Sequence, residues 1–341
     1  MLIYIQILRF LAAAAVVAFH AWGVAPNYIE VLDGAPSYGL QYGESGVDLF
    51  FVISGFIIFY ASHRVKLSPS KFLQRRIERI VPLYFFVIFA VTALAMAFPV
   101  SFGTAGWFTS RHVLKSLGFI SFTDGVMPIV YVGWSLEYEM FFYLCVALLM
   151  ATKRAAWCPI AVIFSALTMA GQIPGVNGVF GNYAFLVDPL LMEFVFGVLV
   201  GGLFLNGRVG RTELIAAACA IATLLIADPG NRAIVFGVPS ATIVGIAAYV
   251  SVLRPKPSWV EALLERLGDA SYSIYLAQVN TVSLACKYAA DLVPDIPPMA
   301  LVLVATATGV LAGLLLNIFV ERPLLRLCRS FAAPRVRDAK A

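Results

Sequence analysis

An arginine and a histidine stand eleven residues apart in the first apolar stretch of the chain, LRFLAAAAVVAFHAWG. Eleven residues of α-helix make three turns and about 20° more, so Arg9 and His20 share one helix face about 16 Å apart. An arginine fork binds anions, and an imidazole exchanges protons near neutral pH. The pair predicts a reaction path between two depths of a membrane. The structural alternative is that Arg9 extends to the headgroups and His20 lies at the interface beside Trp22.

Two carboxylates occur in other apolar stretches. Asp48 lies in ESGVDLFFVISGF, and Glu139 lies in GWSLEYEMFFY, where Ser135, Glu139 and Tyr143 recur at every fourth residue on one helix face. The predicted spans place His20, Asp48 and Glu139 at similar depths in the outer leaflet. Because a carboxylate beside an imidazole fixes its tautomer and stabilises the imidazolium, we predict a general base built from these three residues. A structural ion pair is the alternative for each carboxylate.

Three arginines precede the third apolar stretch, in the segment FLQRRIERIVPLY. If this segment is helical, Arg75, Arg76 and Arg79 fall within an arc of about 100°. A guanidinium fork matches phosphate oxygens better than the point charge of a lysine does. The cluster therefore predicts an anionic ligand, and the alternative is that these arginines only anchor the helix at the inner surface.

The composition requires a membrane to hold these residues. Of the 341 residues, 61% are hydrophobic and 13% are charged, whereas soluble chains average about 45–50% apolar and about 25% charged residues. A spanning helix needs about 20 apolar residues. We predict an all-α polytopic helix bundle with about ten spans, as one transmembrane domain over residues 1–330 followed by a short basic cytoplasmic tail over 331–341. The predicted spans are 2–23, 45–62, 80–99, 132–152, 156–172, 185–205, 213–228, 232–252, 269–290 and 298–320.

The distribution of basic residues orients the bundle. The connections after the second, fourth, sixth and eighth predicted spans and the tail together hold 19 of the 24 Lys and Arg residues. Because such residues are enriched on the cytoplasmic side, we predict that both termini are cytoplasmic. This bias accounts for the net charge of +5 without nucleic acid as a partner. The first stretch lacks a basic leader and a small-residue cleavage site, so we interpret it as a retained helix.

Several other functions receive no support from the sequence. The five cysteines are scattered and predict neither a disulfide framework nor a metal site. The chain has no P-loop, no G-x-G-x-x-G and no G-x-S-x-G motif. A proton-coupled transporter or a lipid-linked sugar flippase would also bury Arg, His and carboxylates, and it would be favoured by an inverted repeat, which we do not find. A third alternative is a non-catalytic subunit of a polysaccharide export complex.

Six segments in register resemble the acyltransferase family three membrane proteins. They are the Arg-x10-His of the first span, GVDLFFVISGF, FLQRRIERIVPLY, GWSLEYEMFFY, SYSIYLAQ and ERPLLR, which together cover essentially the whole chain. WSLEYEMFFY is most similar to the branch that acetylates bacterial exopolysaccharides. The resemblance implies ten spans in the bacterial inner membrane. It also implies transfer of an acyl group, usually acetyl, from cytoplasmic acetyl-CoA or another acyl-CoA to a hydroxyl of a polysaccharide or lipid-linked sugar.

The resemblance also carries residue roles. Arg9 and His20 match the paired residues of the family's first helix, Arg76 and Arg79 match its Arg-x-x-Arg element near the coenzyme, and Glu139 matches its fourth-helix glutamate. Many members have histidine where this chain has Gln278, so we expect no catalytic part for the ninth span. We expect no fused periplasmic hydrolase domain, so that any second transfer step would need a partner protein.

The residue patterns and the family resemblance together predict a mechanism with a donor site and an acceptor site at two depths of the membrane. The coenzyme phosphates are expected to bind Arg76, Arg79 and Arg75, with Arg9 further along the thioester arm. His20, oriented by Asp48 or Glu139, then activates the acceptor hydroxyl or briefly carries the acyl group.

The predicted topology can be tested by labelling single cysteines in a variant without the five native ones. Because the orientation follows from the basic residues, an impermeant reagent added to intact cells should react at positions in the outer connections, namely Glu30→Cys, Asn177→Cys and Asp295→Cys. Positions in the inner connections should stay protected until the cells are permeabilised, namely Ser68→Cys, Lys153→Cys and Lys256→Cys. The reversed pattern would contradict the assignment of both sides.

Overall fold

The fold is a bundle of α-helices, seen here in a computed structural model that describes residues 2–29, 39–64, 67–97, 109–152, 157–206, 217, 218, 221 and 230–332. Helices satisfy their backbone hydrogen bonds internally, which lipid-exposed segments must do. Among the described residues there is no strand. The helices are α1 Ile3–Val24, α2 Gly46–Arg64, α3 Pro69–Ala97, α4 Ser110–Leu117, α5 Trp134–Ala151, α6 Trp157–Gly171, α7 Val176–Phe180, α8 Leu191–Asn206, α9 Val238–Leu253, α10 Trp259–Asp269, α11 Ser271–Leu292, α12 Pro298–Leu316 and α13 Arg322–Ala332.

Seven helical stretches in the described part of the chain are long and apolar enough to cross a membrane. They are Ile3–Asn27, Leu40–Arg64, Pro69–Ala97, Tyr131–Ala151, Gly178–Leu205, Ala233–Leu253 and Pro298–Ser330, and each corresponds to one predicted span. The predicted span 156–172 is the shorter apolar helix α6, of 15 residues. The predicted span 269–290 is helix α11, of 22 residues, which is not among those seven. Ten spans and cytoplasmic termini therefore stay predictions.

Two predicted segments lie mainly outside the described residues. The predicted span 213–228 has only residues 217, 218 and 221 described, and the predicted tail 331–341 has only its first two.

The third helix begins eleven residues before the predicted span. It starts at Pro69 and runs for 29 residues, about 43 Å, which exceeds a hydrocarbon core of about 30 Å. The arginine segment is therefore helical, as the mechanism requires. Pro82 lies inside the helix without ending it.

Helices α2 and α8 pack closely, backbone against backbone. A Cβ on Gly55 would meet the backbone of Phe194, and one on Gly197 would meet the carbonyl of Val52. Small residues let two helix backbones approach in this way within a membrane, where packing drives helix association. The contact fixes α2, which carries much of the site described below.

The amphipathic helix α10 packs against the first turns of α1. Ser258 and Glu261 form a capping box at its start, and the Tyr4 hydroxyl donates to Glu261 Oε1 over 2.5 Å. This hydrogen bond lowers the pKa of Glu261 to about 2. Gly268 lies against the backbone of Gln6. Together these contacts hold the end of α1 that precedes Arg9.

Candidate active site

Helices α1, α2, α3, α5 and α11 surround a cavity of about 380 Å³. This volume lies in the usual range of small-molecule sites, about 300–1,000 Å³. Along α2 the cavity is lined from Val47 to Tyr60, a helix rise of about 20 Å. Most of its walls are aliphatic and aromatic side chains. It is therefore an elongated, largely apolar cavity between helices.

Among the described residues, three arginines and one carboxylate line this cavity. Arg9, Arg76 and Arg79 line it together with Glu139. Arg9 interacts electrostatically with Arg79 and Glu139, and also with Glu321 and Asp269, which do not line the cavity. Its Nη1 donates to Gln6 Oε1 over 3.0 Å. The cavity thus has a surplus of positive charge in apolar surroundings, which favours an anionic ligand.

Arg76 has an unused hydrogen-bond donor. Its guanidinium carbon lies 5.8 Å from the ring centroid of Phe72 and 5.7 Å from that of Tyr143. Its Nε is buried and has no hydrogen-bond partner. A buried donor without a partner costs about 1–3 kcal/mol, and a ligand that accepts a hydrogen bond there would recover this energy. The aromatic contacts hold the guanidinium in place with its Nε unpaired.

Arg75 does not belong to the cavity. Its side chain is exposed, and it is not among the lining residues. On a helix, Arg75 and Arg76 point about 100° apart, so one of them can face the bundle while the other faces outward. The prediction that Arg75 binds the ligand thus finds no support in the geometry.

Glu139 is bound inside the cavity by hydroxyl groups. Ser54 Oγ donates to its Oε1 over 2.9 Å, and the Tyr143 hydroxyl donates to the same oxygen. Ser54 lies six residues beyond Asp48 on α2, a rise of about 9 Å. The prediction that Asp48 and Glu139 lie at similar depths is therefore wrong, because Glu139 lies at the level of Ser54.

Asp48 is part of a buried ion pair. Arg232 donates to it from Nε over 2.8 Å and from Nη2 over 2.7 Å, and Nη1 reaches Glu44 Oε2 at 3.0 Å. Asp48 is fully buried. The structure therefore supports the ion-pair alternative for Asp48. The sequence contained a signal for this pair, since Arg232 begins the eighth predicted span on the side where the second span begins.

His20 bonds neither of the predicted carboxylates. Its Nδ1 lies 3.1 Å from Gln278 Oε1, and its ring contacts Tyr131 edge-on, with centroids 6.1 Å apart. The expected orientation by Asp48 or Glu139 is replaced by this contact with Gln278. Gln278 lies on α11, the ninth predicted span, so this span contacts His20, and the expectation that it has no catalytic part stays a prediction.

One turn of α11 lies between His20 and the cavity. His20 does not line the cavity, whereas Tyr275 does. The Tyr275 hydroxyl contacts Ser135 Oγ at 2.8 Å, and the Tyr275 carbonyl accepts from Gln278 Nε2 over 3.1 Å. Sequence reasoning missed Ser54 and Tyr275, because nothing in their spacing indicates which residues face them.

Comparisons with known proteins agree on one family. The model of acyltransferase family three, described as an acyltransferase domain, matches residues 2–318. Exopolysaccharide production protein ExoZ of Rhizobium meliloti (strain 1021) is 33% identical, over 84% of this chain and 91% of that protein. Acyltransferase MdmB of Streptomyces mycarofaciens is 25% identical, over 94% of this chain and 90% of that protein. No solved structure matches.

The pair formed by Asp48 and Arg232 should support folding. Removing one partner of a buried pair costs about 3–5 kcal/mol where the other charge stays buried without compensation. We expect Arg232→Met, which leaves the fully buried Asp48 unpaired, to lower the unfolding temperature of the detergent-purified protein strongly, and Asp48→Asn to lower it less, because Arg232 keeps Glu44 and is 28% exposed. The double variant should lose less than the sum of the two losses.

The matched control is the exposed pair of Arg111 and Asp124, whose closest atoms are 2.7 Å apart, with Arg111 73% exposed. A surface pair contributes about 0–1 kcal/mol, so Arg111→Met should leave the unfolding temperature nearly unchanged. Additive losses in the double variant would show that Asp48 and Arg232 do not act as a pair.

Proposed function

The chain belongs to acyltransferase family three and is a membrane acyltransferase, and from this premise we propose that it moves an acetyl group from cytoplasmic acetyl-CoA to a sugar hydroxyl. The acceptor is a polysaccharide or lipid-linked sugar at the outer face of the bacterial inner membrane. The similarity to ExoZ, an exopolysaccharide production protein, supports this acceptor class. In this proposal the bundle has about ten spans and both termini are cytoplasmic.

The observation that carries the proposal is the unpaired donor of Arg76 in a cavity that also holds Arg9 and Arg79. Acetyl-CoA carries phosphates at one end and, at the end of a long, narrow arm, a thioester. Arg76 and Arg79 lie where phosphates would be bound by charge-assisted hydrogen bonds. The largely apolar remainder of the cavity suits the arm. Arg9, on α1, would contact the carbonyl groups of the arm.

His20 acts on the acceptor in this proposal. It takes the proton of the sugar hydroxyl, whose oxygen attacks the thioester carbon. The carbon–sulfur bond breaks, and the coenzyme leaves as a thiolate that takes up a proton. In the covalent variant the imidazole attacks first and passes the acyl group to the sugar. Glu139, held by Ser54 and Tyr143, balances part of the arginine charge in the donor cavity.

Arg76 and Arg79 should determine the affinity for acyl-CoA. Each charge-assisted contact contributes about 1.5–3 kcal/mol, so Arg76→Ala or Arg79→Ala should raise the Kd about tenfold or more, because 1.4 kcal/mol is a factor of ten. Lysine should restore only part of the affinity, since the fork is lost. Calorimetry with acetyl-CoA and protein in lipid nanodiscs measures this.

Arg75→Ala is the matched control, because it removes the same charge from the exposed side of the same helix. We expect its Kd to be unchanged. Equal losses of affinity at Arg75, Arg76 and Arg79 would mean that the arginines attract the coenzyme only by their overall charge. If none of the three variants lost affinity, the arginines would only anchor the helix at the inner surface.

His20 and Arg9 should separate in a binding assay. His20→Ala should abolish acyl transfer while leaving folding and acyl-CoA binding nearly intact, because it lies about 16 Å of helix rise beyond Arg9. Arg9→Ala should weaken both binding and turnover. His63→Ala, at the other end of the bundle on α2, should behave as wild type in both assays. A purified His20→Ala protein with the wild-type rate would remove this histidine from the chemistry.

A further inference from the structure

Gln278 is the only glutamine among the described residues that contacts His20. Its side chain is fully buried. One end of its amide lies 3.1 Å from His20 Nδ1, and the other end lies 3.1 Å from the carbonyl oxygen of Tyr275. Both polar ends of the amide are therefore in use, one toward α1 and one toward the backbone of α11 itself.

The second contact decides which way the amide points. A carbonyl oxygen only accepts hydrogen bonds, so the group facing Tyr275 must be the amide nitrogen Nε2. The oxygen Oε1 then faces His20. This assignment follows from the chemistry of the partners and does not depend on telling oxygen from nitrogen by shape.

The orientation of the amide in turn decides where the imidazole carries its proton. An amide oxygen also only accepts, so a hydrogen bond to Oε1 requires a proton on Nδ1 of His20. In the neutral ring, Nε2 then holds the lone pair. The contact with Tyr131 is made edge-on by the rings.

We propose that Gln278 is a positioning residue that holds His20 in the tautomer with Nδ1 protonated, so that Nε2 of the ring is the atom that acts as base. The assignment of the tautomer rests on the contact with Gln278; the backbone of Val16, one helix turn earlier on α1, also makes a hydrogen bond with the ring. The consequence for the base rests on the proposed function.

The neutral amide does this without bringing a charge. In a serine hydrolase triad a buried carboxylate fixes the tautomer and also stabilises the imidazolium. Here the carboxylates near the first turns of α2 are engaged elsewhere, since Asp48 and Glu44 both bind Arg232. Gln278 fixes the proton position and adds no negative charge beside the ring.

The tautomer can be read directly by nitrogen NMR of the full chain in nanodiscs with ¹⁵N-labelled histidine. The chain has three histidines, and the signals of His20 are those lost in His20→Ala. A protonated and an unprotonated ring nitrogen have well-separated shifts. We expect protonated Nδ1 and unprotonated Nε2 in the wild type, at a pH where the ring is neutral. The reverse assignment would overturn the proposal.

Substitutions at position 278 provide a second test, read by the same NMR measurement. Gln278→Leu removes the acceptor at similar size, so the preference for protonated Nδ1 should be lost. Gln278→Glu still offers an oxygen to Nδ1 and should retain the preference. Gln172→Leu is the control, because it removes a glutamine whose Oε1 lies 3.5 Å from Asn231 Nδ2, away from His20. An unchanged tautomer in Gln278→Leu would overturn the proposal even if that variant were less stable.

Kinetics separate this inference from the proposed function. Gln278→Leu should lower kcat about tenfold and leave the KM for acetyl-CoA unchanged, a smaller loss than the roughly 10²–10⁴-fold that a whole general base contributes, because the ring remains. Gln278→Glu should recover most of the rate. If His20→Ala kept full activity, the proposed base would fail while the NMR arm still tested the tautomer. If His20→Ala were inactive but the tautomer reversed, only the role of Gln278 would fail.

Discussion

The cost of holding charge among apolar helices is the constraint on which the site depends. An ionised side chain removed from water is destabilising unless an opposite charge or a set of hydrogen bonds compensates it. Two regions of the bundle meet this requirement in different ways. Asp48 and Arg232 compensate each other through two hydrogen bonds, so both charges of this pair are compensated within the protein. Arg76 lies with Arg9 and Arg79 around the cavity and keeps a buried donor without a protein partner.

The state of their hydrogen bonds distinguishes Asp48 from Arg76 better than burial does. Asp48 is more deeply buried than any of the cavity arginines, yet its hydrogen bonds are satisfied by the protein. Arg76 is half-buried and has an unsatisfied nitrogen. Intramembrane ionisable residues are functional candidates as a class, and an unpaired atom alone does not identify a ligand site, because Glu193 has both carboxyl oxygens unpaired and does not line the cavity.

The sequence predicted most of the long apolar helices of the described chain, because helical periodicity is a local property. The separation of Arg9 and His20 and the helical arc of Arg75, Arg76 and Arg79 required only the geometry of one helix. What failed was the choice of partners. Asp48 pairs with a residue 184 positions away, and His20 with one 258 positions away. Such contacts depend on how helices pack, which no single-helix pattern encodes.

Gln278 is a second residue whose contacts could not be predicted from its own helix. Many members of the family have histidine at this position, whereas glutamine cannot titrate. On this ground the sequence predicts no catalytic part for α11. The structure makes this residue the hydrogen-bond partner of His20 and joins it to Tyr275, which lines the donor cavity. A side chain that cannot carry a proton can still decide where a neighbour carries one. In the proposed reaction, the same helix turn therefore borders the donor cavity through Tyr275 and sets the proton of the base through Gln278, so that α11 couples the two depths that Arg9 and His20 mark on α1.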